Sequence, residues 1–188
     1  MSESPGSIRV LLVIAPEAFR DEEFFEPYSA MTDQGFTVTV ASTRTGTAQG
    51  MLGGTFEVTT TLDDVTADAF NALVIAGGMG SPETLWNNAT LHRLIQGFDA
   101  QEKLIAAICL SGAVLAKAGI LKNRRATVWP ADEAKQVFAE HGVNYVDEPV
   151  VIDGHIVTSP GPQAAQEFAR QVTELVRYQA GATPATTT

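Results

Sequence analysis

The chain has 188 residues, 45% of them hydrophobic and 18% charged, with a formal net charge of -10 at pH 7. That length suits one domain with a substantial core, and the composition is ordinary for a globular fold. So negative a surface repels phosphate backbones and anionic lipids, and no Lys/Arg cluster offsets it, which sets nucleic acid and membrane aside as partners.

There is one cysteine, Cys109, so neither an internal disulfide nor a cysteine-based zinc site can form. The histidines His92, His141 and His155 are far apart and lack ligand spacing, which argues against a metal; nothing in the sequence calls for a cofactor. Met1–Gly6 is polar, without the apolar stretch of a signal peptide, and no apolar run approaches the roughly 18 residues a membrane span needs. A cytoplasmic location follows as the expectation, and there a lone thiol stays reduced unless chemistry uses it.

Met1–Ser7 and the tail from residue 179 (ending AGATPATTT) are small and polar and read as disordered ends around a single domain over residues 8–178. Ile8–Ile14 is a nearly continuous aliphatic run, the pattern of a strand buried on both faces. Asp21–Gln34 reads as a helix ended by Gly35, and Phe36–Ala41 as the next strand. Gly46–Thr61 alternates like a short hairpin. Ala72–Ala76 is a second buried strand, ending in Gly77-Gly78. Pro82–Trp86 and Thr90–Gln101 read as helical. Leu104–Ile108 is a third buried strand leading straight into Cys109, and Ser111–Ala118 is a helix of small residues stopped by Gly119. Ala126–Val128 reads as a strand and Ala131–His141 as a helix. Tyr145–Val146, Val150–Ile152 and Ile156–Thr158 read as strands, with a turn at Asp153-Gly154. Ala164–Tyr178 is the closing helix.

Alternating strands and helices with fully apolar strands predict an α/β fold, a mostly parallel sheet covered by helices on both faces. In such folds sites form where strand C-terminal ends feed helix N-termini. The loops after Ile14, Ala76 and Ile108 qualify, and they carry Glu22/Glu23, Gly77-Gly78 and Cys109.

A buried strand that turns at Cys109 into a helix of small residues has the logic of a nucleophile elbow. The corner strains the backbone, so positions two residues away must be small, as Ala107 and Ser111 are. A helix N-terminus behind the sulfur favours thiolate over thiol. The plainer alternative is a buried cysteine packed as a small hydrophobe. The Gly77-Gly78-Met79-Gly80 turn is not a dinucleotide or phosphate-loop fingerprint. It is either an ordinary strand-to-helix turn or half of an oxyanion hole, with the Gly78 and Leu110 N–H groups as donors. Asp21-Glu22-Glu23 at a helix start complements the helix dipole. One of these acids, turned inward beside the sulfur, would keep its proton, because two adjacent buried anions are costly. Residue type alone does not choose among Glu17, Glu22, Glu23 and Glu26.

Taken together, these segments resemble the ThiJ/PfpI superfamily, relatives of class I glutamine amidotransferases and of the parkinsonism-associated protein. The resemblance runs from about Ile8 to Val176. It is carried by Asp21–Pro27 (DEEFFEP), Ala72–Gly78 (ALVIAGG), Ala106–Cys109 (AAIC), Ala118–Lys122 (AGILK), Ala126–Pro130 (ATVWP), Tyr145–Glu148 (YVDE) and Val157–Pro162 (VTSPGP), in that order and spacing. It implies a flavodoxin-like three-layer sandwich and a homodimer or higher homo-oligomer. It further implies a nucleophile at Cys109, an inward glutamate at Glu23, four residues before Pro27, and backbone donors at Gly78 and Leu110. The pocket is expected to be lined by Gly77, Ser111, Trp129 and Pro162. Where many members carry His directly after the cysteine this chain has Leu110, which cannot shuttle protons, and Trp129 stands where some have His or Tyr. That His serves the family's proposed protease and glyoxalase chemistry, and the protease activity is therefore not expected here.

The expected function is cysteine-dependent chemistry on a small electrophile: a reactive carbonyl such as methylglyoxal, with a glyoxalase- or deglycase-like outcome, or an isonitrile or amide. Cys109 would attack, the two amides hold the developing anion, and Glu23 move the proton. Ser111 either contributes a hydroxyl or caps the following helix. Two other readings use the same residues. One is a redox sensor or stress protein whose Cys109 oxidises to a sulfinate, and the other a catalytically inert binding member.

Overall fold

The computed structural model describes residues 8–181, so the expectations for residues 1–7 and 182–188 fall outside it. The strands are β1 (Arg9–Val13), β2 (Glu17–Phe19), β3 (Thr37–Ser42), β4 (Gly46–Gly50), β5 (Thr55–Val58), β6 (Thr60–Thr61), β7 (Ala72–Ile75), β8 (Leu104–Ile108), β9 (Arg125–Ala126), β10 (Asn144–Tyr145), β11 (Val151–Asp153) and β12 (Ile156–Ser159). The helices are α1 (Asp21–Asp33), α2 (Ser81–Thr84), α3 (Ala89–Ala100), α4 (Gly112–Lys117), α5 (Asp132–Glu140) and α6 (Ala165–Gln179).

Seven strands form the central sheet in the order β11-β12-β8-β7-β1-β3-β6. Every neighbouring pair is parallel except β11 with β12. The apolar runs dictate this. With period-two alternation each strand offers side chains to both faces, and both faces are filled. Leu11, Val13, Leu73, Ile75, Ile105 and Ala107 point to the side covered by α3, α4 and α5. Val10, Leu12, Val74, Ala106 and Ile108 point to the side covered by α1 and α6. The result is a three-layer α/β sandwich.

The chain runs outward from β1 to β3 and β6, then crosses back to β7 and on to β8 and β12. The sheet therefore reverses its order at β1, and the carboxyl ends of β1, β7 and β8 open side by side. A second sheet, β2-β4-β5, sits above this end. Its hairpin was legible as alternation, but β2 was not: it is three residues long, follows Pro16, and pairs with β4 through an irregular register with Ala18 at φ +55°. The segments read as isolated strands near Ala126 and Tyr145 pair with each other, in parallel, outside the main sheet. The helix read from Ser111 begins instead with a 3₁₀ turn, Cys109–Ser111, because Cys109 itself adopts a positive φ.

The second sheet is tied to α1 by aromatic packing. Phe24 is fully buried and meets Phe19, Phe25, Tyr28 and Phe56, with ring centroids 4.8 to 5.6 Å apart. Truncating it removes contacts to α1, β2 and β5 together. Phe24→Ala is expected to lower the unfolding free energy by about 3–5 kcal/mol in urea titrations followed by circular dichroism. A change below 1 kcal/mol would show that the cluster is not a structural anchor.

Candidate active site

Cys109 closes β8 and opens the turn into α4. Its φ of +61° is a left-handed conformation that costs a non-glycine residue on the order of 1 kcal/mol. Several bonds hold the corner. The Trp129 N–H donates to the Cys109 carbonyl at 3.2 Å, and Trp86 Nε1 donates to the Leu110 carbonyl at 2.8 Å. Ser111 Oγ donates to the Ala76 carbonyl at 2.6 Å and lies 2.8 Å from Ser81 Oγ.

The first turn of α1 sends three consecutive acids in three directions. Asp21 accepts the Leu52 and Gly54 N–H groups at 2.9 and 2.7 Å, clamping the turn between β4 and β5. Glu22 takes Arg20 in a forked ion pair at 2.7 and 3.1 Å. Glu23 is fully buried, and its Oε2 accepts the Gly77 N–H at 3.0 Å. Of the other glutamates near this end, Glu17 pairs with Arg44 at the surface and Glu26 lines a groove between α1 and α6.

Gly77 brings the two chemical groups together. A Cβ there would overlap Glu23 Oε2, Cys109 Cβ and the Ile108 carbonyl, so only glycine lets all three converge. Gly78, at φ +114°, likewise packs bare against the Ala18 carbonyl and the Arg20 nitrogen.

Burial sets the electrostatics. It raises the Glu23 carboxyl to about 7, against the opposing pull of the Cys109 thiol, the Gly77 N–H and Arg20. Burial also pushes the Cys109 thiol up; the Glu23 charge acts in the same direction, while the Leu110 and Gly78 N–H groups pull it down. Amide dipoles alone therefore do not win. The expected arrangement, a thiolate beside a Glu23 carboxyl that keeps its proton, is opposed by burial of the sulfur, which favours the thiol. Glu23 Oε1 has no hydrogen-bond partner, and the thiol is the neighbouring side chain with a proton to offer.

Glu23, Gly78, Cys109, Leu110, Trp129 and Pro162 line one cavity of about 180 Å³, joined by Arg20, Met51 and Met79. Two residues expected there do not line it. Gly77 lies behind the pair as a donor to Glu23. Ser111 is fully buried, bonded to Ala76 and Ser81, and its side chain caps no helix. It stitches the elbow to the glycine turn. Met79 lies inside the recognised glycine turn, and Arg20 lies one residue before the acidic run. Met51 arrives from a hairpin turn with no sequence signal linking it to the cysteine. His92, His141 and His155 bond instead to Trp86, Val137 and Asp99. Among the described residues no three His, Cys, Asp or Glu side chains are placed to hold a metal ion, and no helix is long and apolar enough to cross a membrane.

A strained cysteine at a strand-to-helix corner, facing backbone amides and a buried acid, defines the class of α/β proteins built around a nucleophile elbow. The sequence profile of the DJ-1/PfpI family matches residues 8–175, and the chain belongs to that family. A protein of Methanocaldococcus jannaschii is 45% identical over 174 residues, covering 93% of this chain and 85% of that one. A deglycase of Pyrococcus abyssi is 32% identical, covering 89% of this chain and 99% of its own. The crystal structure of a ThiJ/PfpI domain protein from Brachyspira murdochii superposes with a TM-score of 0.85 at 33% identity, covering 90% of this chain and 96% of that one. That of Drosophila melanogaster DJ-1beta gives 0.82 at 28% identity, covering 93% and 94%.

Two consequences are measurable. Ser111→Ala leaves the buried Ser81 hydroxyl and Ala76 carbonyl short of a partner, and is expected to cost about 1–3 kcal/mol of stability in denaturant titrations; an unchanged midpoint would exclude the stitching role. A carboxyl raised from 4.5 to about 7 makes the folded state bind the extra proton, so Glu23 lowers stability progressively as pH rises from 4.5 through 7. Glu23→Gln removes that penalty. The variant should exceed the wild type by up to about 3 kcal/mol at pH 8, with the gap closing toward pH 4.5. A pH-independent gap would contradict the raised value.

Proposed function

We propose that this protein is a cysteine-dependent enzyme acting on small reactive carbonyls, converting a 2-oxoaldehyde such as methylglyoxal to the 2-hydroxy acid. The observation that carries the reading is a pair lining one cavity: a strained Cys109 and a buried Glu23 whose Oε1 has no hydrogen-bond partner. Relatives named deglycases in three Pyrococcus species, at 30 to 32% identity, support carbonyl chemistry of this type.

The ionised Glu23 carboxylate takes the thiol proton as Sγ attacks the aldehyde carbon. A C–S bond forms, and the carbonyl pair moves to oxygen, where the Gly78 and Leu110 N–H groups stabilise it. Glu23 returns its proton to that oxygen, giving a hemithioacetal. It then removes the hydrogen of the former aldehyde carbon as a proton, giving an enediolate as the ketone oxygen takes up the hydroxyl proton, and delivers a proton to the neighbouring carbon, leaving a 2-hydroxy thioester. Water hydrolyses the thioester, releasing the 2-hydroxy acid and the thiol. One water is consumed and no external oxidant or reductant is needed. Leu110 leaves no imidazole at this position, so Glu23 carries every proton transfer. Oligomer formation and a cytoplasmic location belong to the same reading.

Lactate production from methylglyoxal tests it. Cys109→Ser should abolish turnover, and Glu23→Gln should lower kcat by about 10²–10⁴-fold. Wild-type kcat/KM should rise with pH through about 7, where Glu23 ionises. Stoichiometric oxidation of Cys109 by mild peroxide, with no turnover of any 2-oxoaldehyde, would replace the enzyme by the sensor.

A further inference from the structure

The cavity that holds Cys109 has an unusual charge balance. Only three of its lining side chains ionise. Cys109 and Glu23 are both acids lining the same cavity, so the pair ionises only to negative charge. Arg20 is the single cation, and its Nε and one of its two Nη groups are held by the Glu22 carboxylate. A carboxylate or phosphate on an incoming molecule would meet a cation already paired with Glu22 and would sit beside a second acid.

The rest of the wall is apolar. Leu110 packs with both core clusters and occupies the position next to the nucleophile. Met51, Met79 and Trp129, three of the seven large hydrophobic side chains exposed among the described residues, border this one cavity. Single exposed apolar residues need no explanation. Here they arrive from three separate places, the β4–β5 turn, the glycine turn after β7 and the segment before α5, and meet at one opening. Two of them are methionines, whose flexible thioethers adapt to different shapes, and the third offers an aromatic face.

Resting on the carbonyl reading above, we infer that the site selects electrophiles with an uncharged, apolar substituent up to the size of a phenyl ring, and rejects those carrying a carboxylate. Size supports the upper bound: a dry cavity of about 150 Å³ accommodates benzene, and this one measures about 180 Å³. Leu110, Met51, Met79 and Trp129 are the specificity-determining side chains. Arg20 stays neutralised by Glu22 and takes no part in binding an anion.

Cys109 is the chain's one cysteine, so intact mass reads its alkylation without ambiguity. Rates for iodoacetate, iodoacetamide and N-phenyl iodoacetamide, each divided by the rate with glutathione at the same pH, remove intrinsic reactivity. The normalised rate for the phenyl reagent should exceed that for iodoacetamide by about tenfold, and iodoacetate should fall below both. Met79→Lys supplies the missing cation at the rim and should raise the iodoacetate rate about tenfold relative to iodoacetamide. Equal normalised rates for the three reagents in the wild type would overturn the inference. Turnover separates the two claims. Phenylglyoxal should surpass methylglyoxal in kcat/KM, and a 2-oxoaldehyde with a terminal carboxylate should trail both. If the carboxylate-bearing aldehyde is processed as well as methylglyoxal, the selectivity is wrong and the enzyme stands. If the alkylation order holds but no aldehyde is turned over, the enzyme is wrong and the selectivity stands.

Discussion

Burial of one carboxyl group is the constraint around which this site is built. Glu23 leaves water entirely, and one N–H, from Gly77, meets one of its two oxygens. A carboxylate so poorly compensated is expensive in an apolar interior. The second oxygen has no hydrogen-bond partner at all, and the carboxyl converges with Cys109 around Gly77. Neither group has its solution character. The acid is pushed to about 7 and the thiol upward, so the reactive ion exists only as a property of the pair. In the proposed mechanism the neighbour acts as base, and the backbone donors of Gly78 and Leu110 serve charge that develops on the sulfur or on an attached oxygen.

That constraint explains the backbone around it. A Cβ on Gly77 would stand where the carboxyl and the cysteine meet, so glycine is required there for space rather than for dihedral freedom. Gly78 is needed for both, since its positive φ and its contact with the Ala18–Arg20 backbone bring β2 over the sheet edge. Cys109 adopts a left-handed conformation without the benefit of being glycine, and bonds from Trp129, Trp86 and Ser111 hold the strained corner in place. The strain lies where strand β8 must turn sharply enough to expose a sulfur at its tip.

Most of the architecture could be read from the sequence because the strands are almost wholly aliphatic. Val10–Val13, Ala72–Ile75 and Leu104–Ile108 admit one interpretation, a sheet covered on both faces, and that interpretation places the three loops together. Strand β2 escaped because three residues following a proline carry no periodic signal; its pairing is imposed by the hairpin above it. Ser111 was misplaced for a related reason. A serine at the start of a helix reads as a cap from local sequence, but here its hydroxyl has a closer claim in Ala76, which lies 35 positions away in the chain. Gly77 was read as a wall of the pocket when it is the support behind the acid. Met51 reached the cavity through a tertiary contact that no local pattern encodes.

The run Asp21-Glu22-Glu23 shows how much one helical turn can settle. Successive residues project about 100° apart, so three identical charges on paper face three surroundings. Asp21 faces the β4–β5 turn and holds it through two backbone N–H groups, which fixes Met51 at the rim. Glu22 faces Arg20 and cancels it. Glu23 faces inward and meets the sulfur. Read as a row, the acids amount to a favourable end for a helix dipole. Read by direction, the first holds the turn at the cavity rim, the second pairs with its one cation, and the third is the buried acid beside Cys109. The apolar character of the opening and the reactivity at its floor thus descend from the same turn, and Leu110 completes the division of labour. With Leu110 rather than an imidazole beside Cys109, the wall is hydrocarbon and Glu23 is the one carboxyl that lines the cavity.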